Sequence, residues 1–374
     1  MAVTIKDVAR AAGVSRGTVD RVLNGRGGVR PDVERRIKKL LAELHYTPNR
    51  AGRVLAALKK PVKIGCLLPG VGNRFFEDIV LGFRQAEREL SDFGISLAVS
   101  EVRGFDPDVH VRAVDALLEK GISGLCVSTV DVPMVRGKIN AVAAAGIPVV
   151  TVNSDLTRTR RLCYVGCDYL ESGRTAAGVV SLLRGGPLEI LILTGSFRMQ
   201  GHNRRIAGFL RALEERKRTF HVAEIAESRD DDATSYARTL AALKKHPEVN
   251  CLYITSAGAY GVCRAVEELG RGDRITVLCF DDIPSTKRLV LQGKVPATIC
   301  QDPFRQGYDS VKILYEYLVN GRPPARRRYF TDSVIKIREN ILSAPAGAVE
   351  GADSAEKIKE EYDYGKTENK SGGE

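Results

Sequence analysis

The chain has 374 residues, 44% of hydrophobic type and 28% charged, with 57 Lys/Arg against 46 Asp/Glu and eight cysteines. It is too long for one average domain, and its apolar content suffices for a core in each of two or three. No apolar run approaches the roughly 20 residues of a membrane span, and the charged start (Lys6, Asp7, Arg10) is not that of a secretory leader, so no membrane partner and a cytoplasmic location are expected.

The charge is uneven. Residues 1–60 hold 14 Lys/Arg and 5 Asp/Glu, whereas the rest of the chain holds 43 and 41. A cationic surplus confined to one short segment is the electrostatic footprint of a polyanion partner. Cys66, Cys126, Cys251, Cys279 and Cys300 lie in or beside apolar runs, Cys163 and Cys167 are the nearest neighbours, and no C-x-x-C pair occurs. Buried, reduced thiols are therefore expected.

Thr4 with Asp7 three residues on is a capping-box-like start, and Ile5, Val8, Ala9 and Ala12 recur at helical spacing. The spacing predicts a first helix ending near Ala12, a turn at Gly13, a core plug at Val14, and a second helix capped by Ser15 with Val19, Val22 and Leu23 inward. This is helix-turn-helix spacing. It leaves Arg16, Gly17, Asp20 and Arg21 facing outward, two of them arginines suited to guanine edges or phosphates. Thr4, Ser15, Thr18 and Asn24 flank that face and complete the DNA-contact candidates there. Pro31 suits the first turn of a third helix, in which Val33, Ile37, Leu40, Leu41 and Leu44 close an all-α core. The same turn pattern also occurs in helical hairpins that bind nothing.

The run I-K-D-V-A-R-A-A-G-V-S-R-G-T-V-D-R-V-L-N, followed at fitting distances by Tyr46, Pro48, Asn49, Arg50 and Leu55, resembles the lactose-repressor/galactose-repressor (LacI/GalR) family. The resemblance implies that Asn49–Leu58 is a hinge helix lying against the minor groove and that Leu55 wedges between base pairs, at an unstacking cost of a few kcal/mol. It adds Tyr46, Asn49, Arg50, Arg53 and Leu55 to the DNA-contact candidates. Three departures stand out. Asp20 occupies the place of the family's usual serine in T-V-S-R, where a carboxylate repels phosphate or accepts from a cytosine amino group. Gly17 leaves base reading to Arg16 and Arg21. Gly52 costs about 1 kcal/mol relative to alanine inside the hinge helix, which is expected to be disordered without DNA.

From Pro61 onward the pattern changes to short apolar runs alternating with amphipathic helices. Residues 62–69, 95–100, 123–128, 148–152, 188–194, 249–255, 275–280 and 296–300 read as buried parallel strands, and 74–90, 107–120, 132–145, 168–184, 202–216, 231–245, 258–269 and 303–319 as helices. Strict alternation predicts doubly wound α/β sheets, and the number of strands predicts two of them with a cleft between. Residues 62–340 also resemble the type I periplasmic sugar-binding fold that the LacI/GalR family uses as its regulatory core. That fold implies three crossings between lobes, placed here so that one lobe holds 62–162 and 293–323 and the other 163–292 and 324–340. Residues 1–48 are then the headpiece, 49–60 the hinge, 61–340 the effector-binding and dimerisation domain, and 341–374 a disordered tail.

Ligands of open α/β sheets sit at the carboxyl ends of the strands. There this chain carries Asn73, Phe75 and Phe76, then Arg205, Asp281 and Gln301. Asn73, Phe76, Arg205, Asp281 and Gln301 match sugar-binding positions of the ribose-binding-like members. One of the two phenylalanines is expected to be core, and Asp281 has an alternative role as a helix cap. Asn153 and Ser154 replace the usual Asp-Arg pair, and Thr255 and Ser256 replace Asn-Asp, so charged anchors are lost. With Arg205 and nearby His202 kept, the expected effector is a modified sugar, a polyol or an acidic derivative.

Gly70-Val71-Gly72 imitates a dinucleotide fingerprint but lacks its later glycine and acidic residue. There is no nucleophile elbow and no P-loop, and His45, His110, His202, His221 and His246 lack metal-ligand spacing, so neither enzyme activity nor a cofactor is expected. The basic runs Arg158–Arg161 and Arg326–Arg328 read as solvated loop or lobe-crossing charges. The whole reads as a ligand-responsive regulator, a repressor by the family's commonest habit, acting as a homodimer on a near-palindromic operator of double-stranded DNA. The alternative is a sugar-binding receptor without a DNA-binding role.

Overall fold

The computed structural model describes residues 3–23, 27–44 and 61–342. The expectations for Asn24, Tyr46, Asn49, Arg50, Gly52, Arg53, Leu55, the hinge helix and the tail from 343 onward lie outside the described residues.

Three short helices, α1 (Ile5–Ala12), α2 (Arg16–Leu23) and α3 (Pro31–Glu43), form the headpiece. The capping box is complete: the Asp7 amide donates to Thr4 Oγ1 at 3.4 Å and the Thr4 amide to Asp7 Oδ2 at 2.9 Å. Gly13, at φ 63°, ends α1 with its amide on the Ala9 and Arg10 carbonyls, a left-handed conformation that costs glycine nothing. Val8, Ala9, Ala12, Val19, Val33 and Ile37 are buried together, with Val14, Leu40, Leu41 and Leu44 packed on them.

Beyond Pro61 the order is β1 (Val62–Leu68), α4 (Phe75–Leu90), β2 (Ile95–Glu101), α5 (Pro107–Glu119), β3 (Gly124–Val127), α6 (Pro133–Ala144), β4 (Val149–Val152), β5 (Cys163–Cys167) and α7 (Tyr169–Leu183). It continues with β6 (Leu188–Thr194), α8 (Gln200–Glu215), β7 (Phe220–Glu227), α9 (Asp232–Lys245), β8 (Cys251–Ile254), α10 (Ala259–Glu268), β9 (Thr276–Phe280) and α11 (Pro284–Leu291). The last elements are β10 (Ala297–Cys300), α12 (Pro303–Leu318), β11 (Arg328–Thr331) and β12 (Val334–Lys336). Two six-stranded sheets result, ordered β11-β5-β4-β3-β1-β2 and β12-β10-β9-β8-β6-β7. All neighbours are parallel except β12, which runs antiparallel to β10. Central strands such as β3, β4 and β8 are buried at every position, as strands covered by helices on both faces must be. The eight cysteines are buried free thiols. No described helix is long and apolar enough to cross a membrane.

Two expectations change. Strands β5, β7, β11 and β12 and helix α11 were not foreseen: β7, β11 and β12 are edge strands with half-exposed, mixed sequences, and α11 has only eight residues. The lobe boundaries also shift. β5 belongs to the first sheet and β10 to the second, so the chain crosses near residues 168, 302 and 332. Periodicity identifies a strand without saying which sheet it joins.

Glycines set the closest helix contacts. A methyl group on Gly82 of α4 would lie 2.0 Å from the Phe304 carbonyl oxygen of α12, and one on Gly307 of α12 2.1 Å from the Ile79 oxygen. In the second lobe Gly173 of α7 meets the Arg205 oxygen at 2.2 Å and Gly208 of α8 the Leu170 oxygen at 2.0 Å. Because the opposing atoms are backbone, Gly82→Ala and Gly208→Ala should each destabilise the protein by about 1–3 kcal/mol. Calorimetry checks this, and an unchanged melting temperature for both would refute the packing.

Candidate functional site

In the headpiece, Arg16, Gly17 and Arg21 are exposed on α2, and Asp20 is half-buried. The Ser15 and Thr18 hydroxyls lie 2.9 Å apart and Ser15 Oγ accepts the Thr18 amide at 3.2 Å, so both side chains build the helix start while Arg16 and Arg21 project from it. Thr4 is likewise engaged, its hydroxyl donating to Asp7 at 2.6 Å.

In the body, both sheets aim their strand ends at one cleft. Asn73, Phe75, Phe76, Asn153 and Ser154 line it from the first lobe, and Tyr169, His202, Arg205, Asp230, Ser256, Phe280, Asp281 and Gln301 from the second lobe and its crossovers. Asn73 Oδ1 accepts the Phe75 amide at 3.1 Å and so starts α4, which presents Phe75 and Phe76 edge to face, ring centres 5.3 Å apart. One of the two was expected to be core only. Both are buried and both line the cleft. Asn153, Asp230 and Asp281 stand at loop positions in the left-handed region (φ 61°, 58° and 66°), a conformation that Asn and Asp tolerate better than other side chains and that turns the chain sharply where it meets the cavity.

Arg205 is 3% exposed. Its Nη1 donates to the Thr255 carbonyl at 2.7 Å, and its guanidinium lies 3.6 Å from the centre of the Phe280 ring and 4.7 Å from that of Tyr169. Its Nε and Nη2 have no hydrogen-bond partner within the protein. A buried cation with uncommitted donors is costly, and the arrangement suits a ligand that brings acceptor oxygens. Thr255 itself does not line the cleft. Its hydroxyl donates to Thr194 Oγ1 at 3.0 Å and its carbonyl positions Arg205, which corrects its expected direct contact.

Asp281 accepts from Gln301 Nε2 at 2.9 Å. Burial pushes its carboxyl up to about 6, against the pull of Arg205 and of the Gln301 bond. It does not cap the next helix: α11 begins after Ile283 with no side-chain cap. Asn153 Nδ2 donates to Tyr169 Oη at 2.7 Å and to Gln306 Oε1 at 3.2 Å, and Tyr169 Oη donates to Gln301 Oε1 at 2.8 Å. His202 Nδ1 accepts the Ser196 amide at 3.2 Å, which places the ring proton on Nε2, and burial lowers its basicity.

The lobes meet across the cleft. Asp230 Oδ2 accepts from Asn73 Nδ2 at 3.4 Å, Ser154 Oγ from the Gly201 amide at 3.3 Å, and the Arg198 carbonyl from the Asp131 amide at 2.7 Å. Outside the cleft, Arg161 does not behave as a solvated loop charge, because its Nε and Nη2 donate to the two oxygens of the buried Asp155 carboxylate.

Comparison with known proteins places these two parts. The family model described as "Periplasmic binding protein domain" matches residues 64–323, and "Bacterial regulatory proteins, lacI family" matches residues 4–49. The chain belongs to the lacI family of regulators, with a periplasmic-binding-protein domain as its body. It is similar to the ribose operon repressor of Haemophilus influenzae, 24% identical over 91% of this chain and 99% of that one. The ribose operon repressor of Bacillus subtilis is 28% identical over 83% and 90%. Among solved structures, GanP, a glucose-galactose binding protein from Geobacillus stearothermophilus, superimposes with TM-score 0.70 at 27% identity, covering 75% of this chain and 99% of that one.

Several cleft residues of this lacI-family chain were not foreseen. Tyr169 opens a helix and Phe280 closes an apolar strand, positions that local pattern does not mark as lining a cleft. Asp230 sits in R-D-D-D, a loop with no periodicity to mark it.

Since the folded protein holds the Asp281 proton more tightly than an unfolded chain does, the native state binds more protons between the ordinary 3.8 and about 6. The stability contributed at this position therefore falls as pH rises through that window. Asp281→Asn should raise the melting temperature of the ligand-free protein at pH 7.5, and the gain should vanish near pH 4. Equal gains at both pH values would remove the titration from the account.

Proposed function

We propose that the protein is a ligand-responsive transcriptional repressor that binds a near-palindromic operator as a homodimer and takes a sugar-like or polyol effector in the interlobe cleft. The observation that carries this reading is the union, in one chain, of a helix-turn-helix headpiece presenting Arg16 and Arg21 with a cleft whose buried Arg205 holds two uncommitted donors. The names of the relatives, ribose operon repressors and sugar-binding proteins, point the same way. A sugar-binding receptor without DNA would leave the headpiece without a role.

Paired headpieces double the contacts of one, which a specific affinity requires. The dimer seam is assigned to the first lobe, where α4 leaves Leu81 53% exposed on the helix whose Gly82 packs on α12. Ligand held between the lobes favours the closed arrangement and alters the spacing of the segments leading to the headpieces. A coupling of about 1–3 kcal/mol changes operator affinity roughly 5–150-fold.

Gel shifts with DNA from upstream of the protein's own gene test the headpiece. Arg21→Ala should weaken specific binding by about 1–3 kcal/mol, while Arg50→Ala should chiefly flatten the salt dependence. Specific binding that survives removal of residues 1–60 would sink the proposal. For the cleft, a thermal-shift screen over sugars, polyols and sugar acids should find a stabilising compound whose effect Asp281→Ala abolishes. A shift unchanged by that substitution would place the ligand elsewhere.

A further inference from the structure

The charges lining the cleft do not balance. Asp230 and Asp281 contribute two carboxylates and Arg205 one guanidinium, and neither carboxylate is ion-paired with Arg205, whose guanidinium makes its single hydrogen bond to the Thr255 carbonyl. His202 supplies no compensating charge while its Nδ1 accepts a backbone amide, and partial burial lowers its basicity. Asp281 is partly satisfied by Gln301. Asp230 is not. Its Oδ1 is fully buried and has no hydrogen-bond partner, and Oδ2 has only the long 3.4 Å contact from Asn73.

The backbone brings this carboxylate to the cavity at some expense. Arg229 and Asp230 both adopt left-handed conformations (φ 59° and 58°). A methyl group on Gly195 would fall 2.1 Å from Asp230 Oδ1 and 2.7 Å from His202 Cε1, so a bare glycine is what lets both side chains reach this corner of the cavity. At the other side, the Arg205 guanidinium lies over the Phe280 and Tyr169 rings with Nε and Nη2 uncommitted. One corner of the cleft thus asks for acceptor oxygens and another for a donor, and the surplus charge asks that this donor be a cation.

Resting on the proposed role of this cleft as the effector site, we propose that the effector is an aminated polyol, an amino sugar or amino alditol, whose hydroxyl oxygens face Arg205 and whose ammonium group faces Asp230. An anionic sugar acid would place its charge against the two carboxylates, and a neutral sugar would leave the Asp230 charge uncompensated.

Calorimetric titration of the full-length protein against matched compounds tests this: glucosamine, galactosamine and glucamine, each beside its hydroxyl parent, its N-acetyl derivative, and gluconate. At least one amine should bind 10-fold or more tighter than its hydroxyl parent, and its N-acetyl form should lose that advantage. Asp230→Asn, which keeps the shape, should erase the difference, weakening the amine at least 10-fold and the parent less than 3-fold, with a melting temperature no lower than the wild type's. If hydroxyl parents bind as tightly as the amines and Asp230→Asn leaves their ratio unchanged, the ammonium assignment is overturned while the cleft keeps its role. If no compound of any class binds, both the assignment and the cleft's proposed role fail together.

Discussion

The body of this protein is built around one desolvated cation. Arg205 is out of water, tied by one branch to the Thr255 carbonyl and lying over two aromatic rings. Each support comes from a different element: α8 carries the arginine, the end of β8 offers the carbonyl, β9 ends in Phe280, and α7 begins with Tyr169. The guanidinium can stand there only if four elements converge at the same edge of one sheet. Parallel winding does this, since it sends every strand's carboxyl end to the same side. Even the tight α7–α8 packing serves the site, because Gly173 makes room for the backbone of Arg205 itself.

A second polar cluster lies where the chain changes lobes. Asn153, Tyr169, Gln301, Gln306 and Thr331 are hydrogen-bonded in series, with the Gln301 carbonyl accepting from both Gln306 Nε2 and Thr331 Oγ1 at 2.8 Å. These residues flank all three crossings and are buried, so each group that left water has a protein partner. A fully satisfied network of this kind resists gradual deformation and favours a small number of discrete arrangements, which is the property a two-position clamp needs. The bridges between the lobes include two single bonds of 3.3–3.4 Å, Asn73 to Asp230 and Ser154 to Gly201, beside the 2.7 Å bond from the Asp131 amide to the Arg198 carbonyl.

Much of this was legible in the residues. The headpiece was, because capping box, turn glycine and apolar spacing agree at every level from Thr4 to Leu44. So were the central strands, whose unbroken apolar runs admit few alternatives, and so were Asn73, Phe75, Phe76, Asn153, Ser154, Arg205, Asp281 and Gln301 as residues brought to one cleft. What escaped was of two kinds. Edge strands β7, β11 and β12 bury one side at most, so their sequences carry weak period-two patterns. The lobe assignment of β5 and β10 depends on pairing between distant segments, which local pattern does not encode. Asp230 escaped for a related reason: its importance comes from a pair of left-handed residues and a glycine 35 positions earlier in the chain, none of which is visible in R-D-D-D alone.

The glycine contact between α4 and α12 also bears on how the molecule is made. The first lobe's opening helix leaves the ribosome early, yet the surface that covers it belongs to residues 303–318, and the strand that finishes its sheet is 328–331. That lobe therefore waits, with an apolar flank uncovered, while all of the second lobe except β12 is synthesised between its parts. Burial of Phe83, Val311 and Leu314 in one cluster is among the last events available to the growing chain. Assembly of the sensor is in this way delayed until nearly all of it exists, and a nascent chain interrupted before α12 is a half-covered sheet open to chaperones and proteases.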